Sequence, residues 1–277
     1  MMSTKIAAIA QLCSTSNKLH NLYNIAHCAG WAKKHGASML FLPECFGFIG
    51  SNVDQTLKNA ERIPYENDED LHDFKNEVEE DWYSSLEKII MECSNDDDLS
   101  KPRLNTGDDN KHNNQVSILN GLRVIAKKSD LFISAGGIHE SCAPPLITEG
   151  STKDRVYNTH LILNNKGEIV SRYRKIHLFD VSIPSQGIHL RESATTAPGT
   201  KLVVCDSPLG KLGLSTCYDL RFPEIYQELS GNGGANILLV PSAFTVPTGQ
   251  AHWHTLLRGK ILNFFVTIMT YDPCKSI

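Results

Sequence analysis

The stretch GLSTCYDLRFPE, Gly213–Glu224, decides the fold. With Lys211 and Leu212 before it, it reads as a short apolar strand that ends at Cys217. Turn residues follow, and then a helix over Phe222–Ser230. A buried strand that runs through a turn into a helix is a building unit of α/β domains. In such domains the reactive side chains sit just beyond the carboxyl ends of the strands. Cys217 stands at such a point, which separates it from the other cysteines of the chain.

The same order recurs on both sides. Lys5–Leu12 reads as a strand. Lys18–His35 reads as a helix, with Leu19, Leu22, Tyr23, Ala26 and Ala29 at helical spacing and Gly36 to end it. Ala37–Glu44 is an apolar run closed by Pro43, a buried-strand pattern. Val116–Lys128 reads as a helix and Leu131–Gly137 as a buried strand. Tyr157–Lys175 reads as a hairpin whose turn, NNKG, supplies Asn and Gly where positive φ is needed. Ala235–Phe244 is a further strand, and a helix starts at Gly249.

Composition bounds the function. The chain has 277 residues, 41% hydrophobic and 21% charged, with a net charge of −4. That is ordinary for a globular protein and gives no basic footprint for nucleic acid or an anionic membrane. No apolar run reaches the ~18 residues of a membrane span, and no secretory leader is legible, so a cytoplasmic protein is expected, with a mitochondrial form left open. The eight cysteines include no C-x-x-C pair and no metal-ligand ladder, so free thiols and neither metal nor cofactor are expected. Nucleotide-binding glycine motifs are absent. Residues 64–115 stand apart, with sixteen acidic and five basic residues, net −11. Such polarity is the mark of a solvated, disordered insertion. Within it, Asp81–Cys93 is the exception and has the pattern of an amphipathic helix.

Three ionisable residues stand at strand ends: Glu44, Lys175 and Cys217. Each alone is an ordinary residue for its place. Together they form a chemical device. An ammonium and the start of a helix lower the pKa of a thiol. A carboxylate can take the thiol proton and return it to a leaving amine. The ammonium, with the backbone N–H of Tyr218, can stabilise an oxyanion. The set suits hydrolysis of a C–N bond through a thioester. A papain-like cysteine hydrolase is the rival, with His177, His252 or His254 as base, but no matching cysteine signature accompanies it.

LPECF, YRKIHLFD and STCYDLRFPE resemble the three signature blocks of the nitrilase, or carbon–nitrogen hydrolase, superfamily. The resemblance implies an αββα sandwich, with Glu44 as general base, Lys175 as oxyanion stabiliser and Cys217 as nucleophile. It implies that Glu192, in LRESATTAPG, orients the lysine and substrate. ECFGFIG, GGIHE and HLFDVSIPSQG look most like the Nit branch, which hydrolyses deaminated glutathione to 2-oxoglutarate and cysteinylglycine. The sister omega-amidases act on 2-oxoglutaramate. Both substrates carry a 2-oxo acid carboxylate, for which Arg221 is a candidate anchor; a structural pairing of Arg221 with Glu224 or with the sheet end is the alternative. Assembly into dimers or larger is implied as well. The resemblance runs from residue 5 to Arg258, apart from the acidic stretch. A single domain is therefore expected over 1–277, truncated at its C-terminus and with a divergent tail at 259–277. A non-catalytic variant of the fold is the alternative that this tail raises.

Overall fold

A computed structural model describes residues 5–64, 81–93, 116–141, 143–148, 151–184, 188–264 and 267–271. In chain order the elements begin with β1 (Ile6–Ile9), α1 (Lys18–Lys34), β2 (Ala37–Leu42), α2 (Val53–Lys58), α3 (Asp81–Cys93), α4 (Ile118–Ser129) and β3 (Phe132–Glu140). A small hairpin, β4 (Leu146–Thr148) and β5 (Ser151–Lys153), precedes β6 (Tyr157–Leu163) and β7 (Ile169–Arg174). A second hairpin, β8 (Asp180–Ile183) and β9 (Ile188–Arg191), leads to β10 (Val203–Asp206) and β11 (Lys211–Leu214). A 3₁₀ turn over Cys217–Arg221 opens into α5 (Pro223–Ser230), followed by β12 (Ile237–Pro241), α6 (Val246–Phe264) and β13 (Thr267–Tyr271).

Two sheets stack face to face. One has the order β1-β2-β3-β6-β7, the other β10-β11-β12-β13. Side chains alternate across a strand, and here both faces are apolar because both are covered. Leu40 and Leu42 of β2, with Leu161 and Leu163 of β6, pack on α1, α3 and α4. Their neighbours Met39, Phe41 and Ile162 face the other way, onto Leu212, Leu214, Ile237 and Leu239 of the second sheet. Leu238 and Val240 of β12 then pack outward on Ile225, Tyr226 and Leu229 of α5 and on Trp253 and Leu257 of α6. Helix, sheet, sheet, helix is the αββα sandwich expected from the sequence.

Local chemistry starts the helices where the sequence predicts. Ser117 caps α4 by accepting from Asn120 N at 3.1 Å. Glu61 accepts from Ile118 N at 2.7 Å and from Leu119 N at 3.1 Å, an anion at the positive end of the helix. No described helix is long and apolar enough to cross a membrane.

Some boundaries differ from expectation. The first strand is only Ile6–Ile9, not Lys5–Leu12. Helix α6 starts at Val246 and runs without a break through Gly259 to Phe264. The segment after it forms β13, parallel to β12 in the register Ile237↔Thr267 to Pro241↔Tyr271. Within the acidic stretch, 65–80 and 94–115 lie outside the described residues, but the helix expected at Asp81–Cys93 is present. Tyr83, Leu86 and Ile90 are buried in the core with α1 and α4. Removing residues 66–113 as one block would strip that cover. Leu86→Ala should cost about 2–5 kcal/mol of stability, as for other fully buried leucines, measured by denaturant unfolding. A cost within experimental error would show that α3 is not part of the core.

A buried histidine joins the sheets. His160 of β6 is fully buried; its Nδ1 donates to Ser215 O at 3.1 Å and its Nε2 accepts from Ser134 Oγ at 2.7 Å. Burial lowers its pKa to about 4, against a weaker opposing effect of the Ser215 carbonyl. Above pH ~6.5 the ring is neutral whether the chain is folded or not, and contributes no pH dependence. Below that, the unfolded chain binds a proton that the folded one refuses, so stability falls until pH reaches about 4. His139, also lowered to about 4 by burial, adds a second contribution of the same sign. Between pH 6.5 and 5, each histidine should remove about 1.5 kcal/mol. His160→Gln keeps a donor and an acceptor and should roughly halve that loss. An unchanged pH dependence in the variant would contradict the assignment.

Candidate active site

Glu44 lies two residues beyond β2, Lys175 immediately after β7, and Cys217 three residues beyond β11. Stacking the sheets brings the three ends together. Lys175 Nζ donates to Glu44 Oε1 at 3.2 Å and to both Glu192 oxygens at 3.0 Å. The Cys217 thiol lies close enough to Glu44, Lys175 and the Ala243 backbone for all three to act on it electrostatically. Lys175 is 2% exposed and Glu44 6%. An ammonium that deep survives only with anions beside it.

The electrostatics are those of a resting device. Burial works to lower the pKa of Lys175, but Glu44, Cys217 and Glu192 together outweigh it and hold the pKa well above the ordinary lysine value. Burial pushes the Cys217 thiol well up, the Glu44 carboxylate pushes it further, and Lys175 opposes them without prevailing. The sequence expectation of a thiol lowered by its ammonium and helix is therefore corrected. Desolvation dominates here, and the sulfur keeps its proton beside a carboxylate.

Backbone and supporting side chains fix the geometry. Cys217 has φ +48°, in the left-handed region that non-glycine residues rarely occupy. It opens the 3₁₀ turn between β11 and α5, so the helix start expected near Arg221 is preceded by this extra turn. Glu44 Oε1 accepts from Asn158 Nδ2 at 2.8 Å, and Oε2 accepts from Ala243 N at 3.0 Å. Gly137 is necessary for that approach: a Cβ there would lie 2.7 Å from Asn158 Oδ1 and 3.2 Å from Glu44 Cγ. Glu192 Oε2 also accepts from Phe179 N at 2.6 Å, which ties it to the root of the β8–β9 hairpin. Tyr218 sits edge-on to Phe179 at 5.1 Å and to Phe222 at 5.6 Å. The Arg221 guanidinium lies 5.8 Å from the centre of the Tyr218 ring and has no carboxylate partner among the described residues, so the expected alternative of an Arg221–Glu224 pair is not formed.

Asn158, Ala243 and Gly137 were not predicted as site residues. Asn158 had a signal: Asn158, Thr159 and His160 are three consecutive polar residues in a strand that is otherwise apolar, and all are buried. Ala243 contributes only a backbone N–H, which no side-chain pattern announces. The rival bases lie elsewhere. His252 and His254 are exposed on α6, and His177 Nδ1 pairs with Asp219 at 2.9 Å while its ring stacks on Phe222.

Comparison with known proteins bears on the fold and the family. Over 264 residues the chain is 35% identical to a deaminated glutathione amidase of Dictyostelium discoideum, a match that covers 95% of this chain and 72% of that one. It is 43% identical over 124 residues to the omega-amidase NIT3 of Saccharomyces cerevisiae, covering 45% of this chain and 42% of the relative. The crystal structure of the C. elegans NitFhit protein superimposes with a TM-score of 0.68 at 28% identity, over 96% of this chain and half (50%) of that one. The profile of the carbon–nitrogen hydrolases matches residues 6–264, so it extends beyond Arg258 through the end of α6. The chain belongs to the carbon–nitrogen hydrolase family.

Proposed function

We propose that the chain is an amidase that acts through a thioester on Cys217, with deaminated glutathione as substrate. The observation that carries this reading is the single buried network in which Lys175 touches Glu44 and Glu192, and Glu44 in turn reaches Cys217. Glu44 takes the thiol proton as the sulfur attacks the amide carbonyl. The C–S bond forms, and the carbonyl electrons move onto oxygen. Lys175 Nζ and the N–H of Tyr218 would donate to that oxyanion. The tetrahedral intermediate collapses, the C–N bond breaks, and Glu44 returns the proton to the departing amine of cysteinylglycine. A water, deprotonated by Glu44, then attacks the thioester; the C–S bond breaks, 2-oxoglutarate leaves and the thiol is restored. Substrate binding displaces water and brings the electrophile to a sulfur that is protonated at rest, so activation belongs to the reacting complex rather than to the free protein.

Arg221, with no carboxylate partner among the described residues and beside the site's aromatic cluster, would anchor the 2-oxo acid carboxylate. Glu192 holds the lysine rather than reacting. An omega-amidase acting on 2-oxoglutaramate is the second reading, favoured by the similarity to the yeast omega-amidase. The two substrates share the acid end and differ in the amine, so the chemistry is common to both.

Steady-state hydrolysis of both amides decides between them. The higher kcat/KM is expected for deaminated glutathione, and the reverse order would transfer the assignment to the omega-amidase. Cys217→Ala should abolish turnover of both while the protein still unfolds cooperatively. Lys175→Ala and Glu44→Gln should each lower kcat by about 10² to 10⁴. Arg221→Ala should raise KM more than it lowers kcat. Gly137→Ala should lower kcat by displacing Asn158 from Glu44. Full activity in Cys217→Ala would end the reading.

A further inference from the structure

One buried carboxylate outside the Glu44–Lys175–Cys217 set joins the turns that carry the lysine and the cysteine. Asp219 is fully buried, two residues beyond Cys217. Its Oδ2 accepts from Thr216 N at 2.9 Å and from Tyr173 Oη at 2.6 Å. Its Oδ1 accepts from His177 N at 2.9 Å and from His177 Nδ1 at 2.9 Å. The Tyr173 hydroxyl in turn accepts from Ile176 N at 3.2 Å. Residues 173, 176 and 177 bracket Lys175, and residues 216 and 219 bracket Cys217. Tyr173 is held well above its ordinary pKa, by burial first and then by Asp219 itself, so it stays a donor.

We propose that Asp219 is a positioning residue, whose carboxylate sets the spacing and orientation of the Lys175 ammonium relative to the Cys217 sulfur. The inference rests on the reading that these two groups do the chemistry. The sequence shows why a local device is needed. Lys175 and Cys217 follow strands of different sheets, and the packing between those sheets is mostly apolar and loosely directional, with the His160–Ser215 hydrogen bond as a directional tie away from Lys175. Cys217 is also held at positive φ, a conformation that persists only where its surroundings over-determine it. Each Asp219 oxygen takes one backbone N–H and one side-chain donor, so the carboxylate locks one turn to the other.

The argument predicts how an amide would fail. Tyr173 can rotate its hydroxyl, and His177 can change tautomer, to accommodate an NH₂ group. The backbone N–H groups of Thr216 and His177 cannot. Asp219→Asn must leave one of them without its acceptor, and that turn will shift. Displacement of a reacting group by about 1 Å costs on the order of 10² in rate.

The test compares wild type, Asp219→Asn, Tyr173→Phe, Cys217→Ala and the core variant Ile125→Val. It measures kcat and KM for deaminated glutathione, the rate of Cys217 alkylation by iodoacetamide, and thermal unfolding. For Asp219→Asn, kcat should fall about 10²-fold with KM within about threefold. Alkylation should change in the same variant, because the sulfur has moved relative to Glu44 and Lys175. Ile125→Val should lower the melting temperature and leave kcat and alkylation as in wild type. The proposal is overturned if Asp219→Asn folds and keeps kcat within about threefold of wild type, or loses kcat only in proportion to its unfolded fraction. If Asp219→Asn does not fold, Tyr173→Phe decides, since it removes one of the four donors to Asp219, together with the acceptor of Ile176 N, and spares the other three. It should lower kcat about threefold to tenfold at unchanged KM, and an unchanged kcat would overturn the proposal. Turnover in Cys217→Ala would instead refute the underlying reading of the site and leave the packing role of Asp219 standing.

Discussion

The buried ammonium of Lys175 is the constraint on which the rest of the structure depends. A lysine that is 2% exposed would lose its proton to desolvation unless anions stood against it. Glu44 and Glu192 supply them, from the end of β2 and from the segment after β9. Glu44 is also buried and is compensated in turn by the lysine, Asn158 Nδ2 and Ala243 N, while Glu192 stays partly exposed. The two-sheet frame must therefore bring both carboxylates to about 3 Å from the ammonium. Truncating any one partner leaves an uncompensated buried charge, which is costly in stability as well as in chemistry.

That frame accounts for how much could be read in the sequence. Buried strands such as Met39–Leu42 and Ile237–Val240 are apolar on both faces, and a continuous apolar run ending in Pro or a polar residue marks a strand and its exit. Glu44, Lys175 and Cys217 were legible because each stands at such an exit. The NNKG turn fixed the β6–β7 hairpin by its backbone needs. Asn158, Ala243 and Asp219 were not legible as site residues, because their roles arise from convergence. Ala243 meets Glu44 across 199 positions of chain, and Asn158 across 114. Pairing at that distance leaves no local periodicity. The amphipathic pattern of α3 was legible within the acidic stretch, but not what Leu86 and Ile90 pack against, since a helical stripe does not name its partner.

The thiol is where a sequence argument about charge and a structural argument about solvent diverge. An ammonium and a helix start near a cysteine suggest a standing thiolate. Burial and the neighbouring carboxylate outweigh both here, and the pKa of Cys217 rises. The same environment makes the Lys175 ammonium persist and places an acceptor beside the sulfur. A protonated sulfur beside a carboxylate is protected from adventitious reaction yet can be activated by one short proton transfer once an electrophile is in place. The left-handed backbone at Cys217 and the donors gathered on Asp219 hold the turn that carries the sulfur.

The central claim is that Cys217 forms a covalent acyl intermediate under control of Glu44 and Lys175. Rapid quenching of the protein during turnover of deaminated glutathione, followed by peptide mass spectrometry, tests it most directly. The account predicts a 2-oxoglutaryl group on the peptide that contains Cys217, formed before free 2-oxoglutarate accumulates and absent in Cys217→Ala. An acyl group on another residue, or steady turnover with an unmodified Cys217 peptide at every time point, would contradict it.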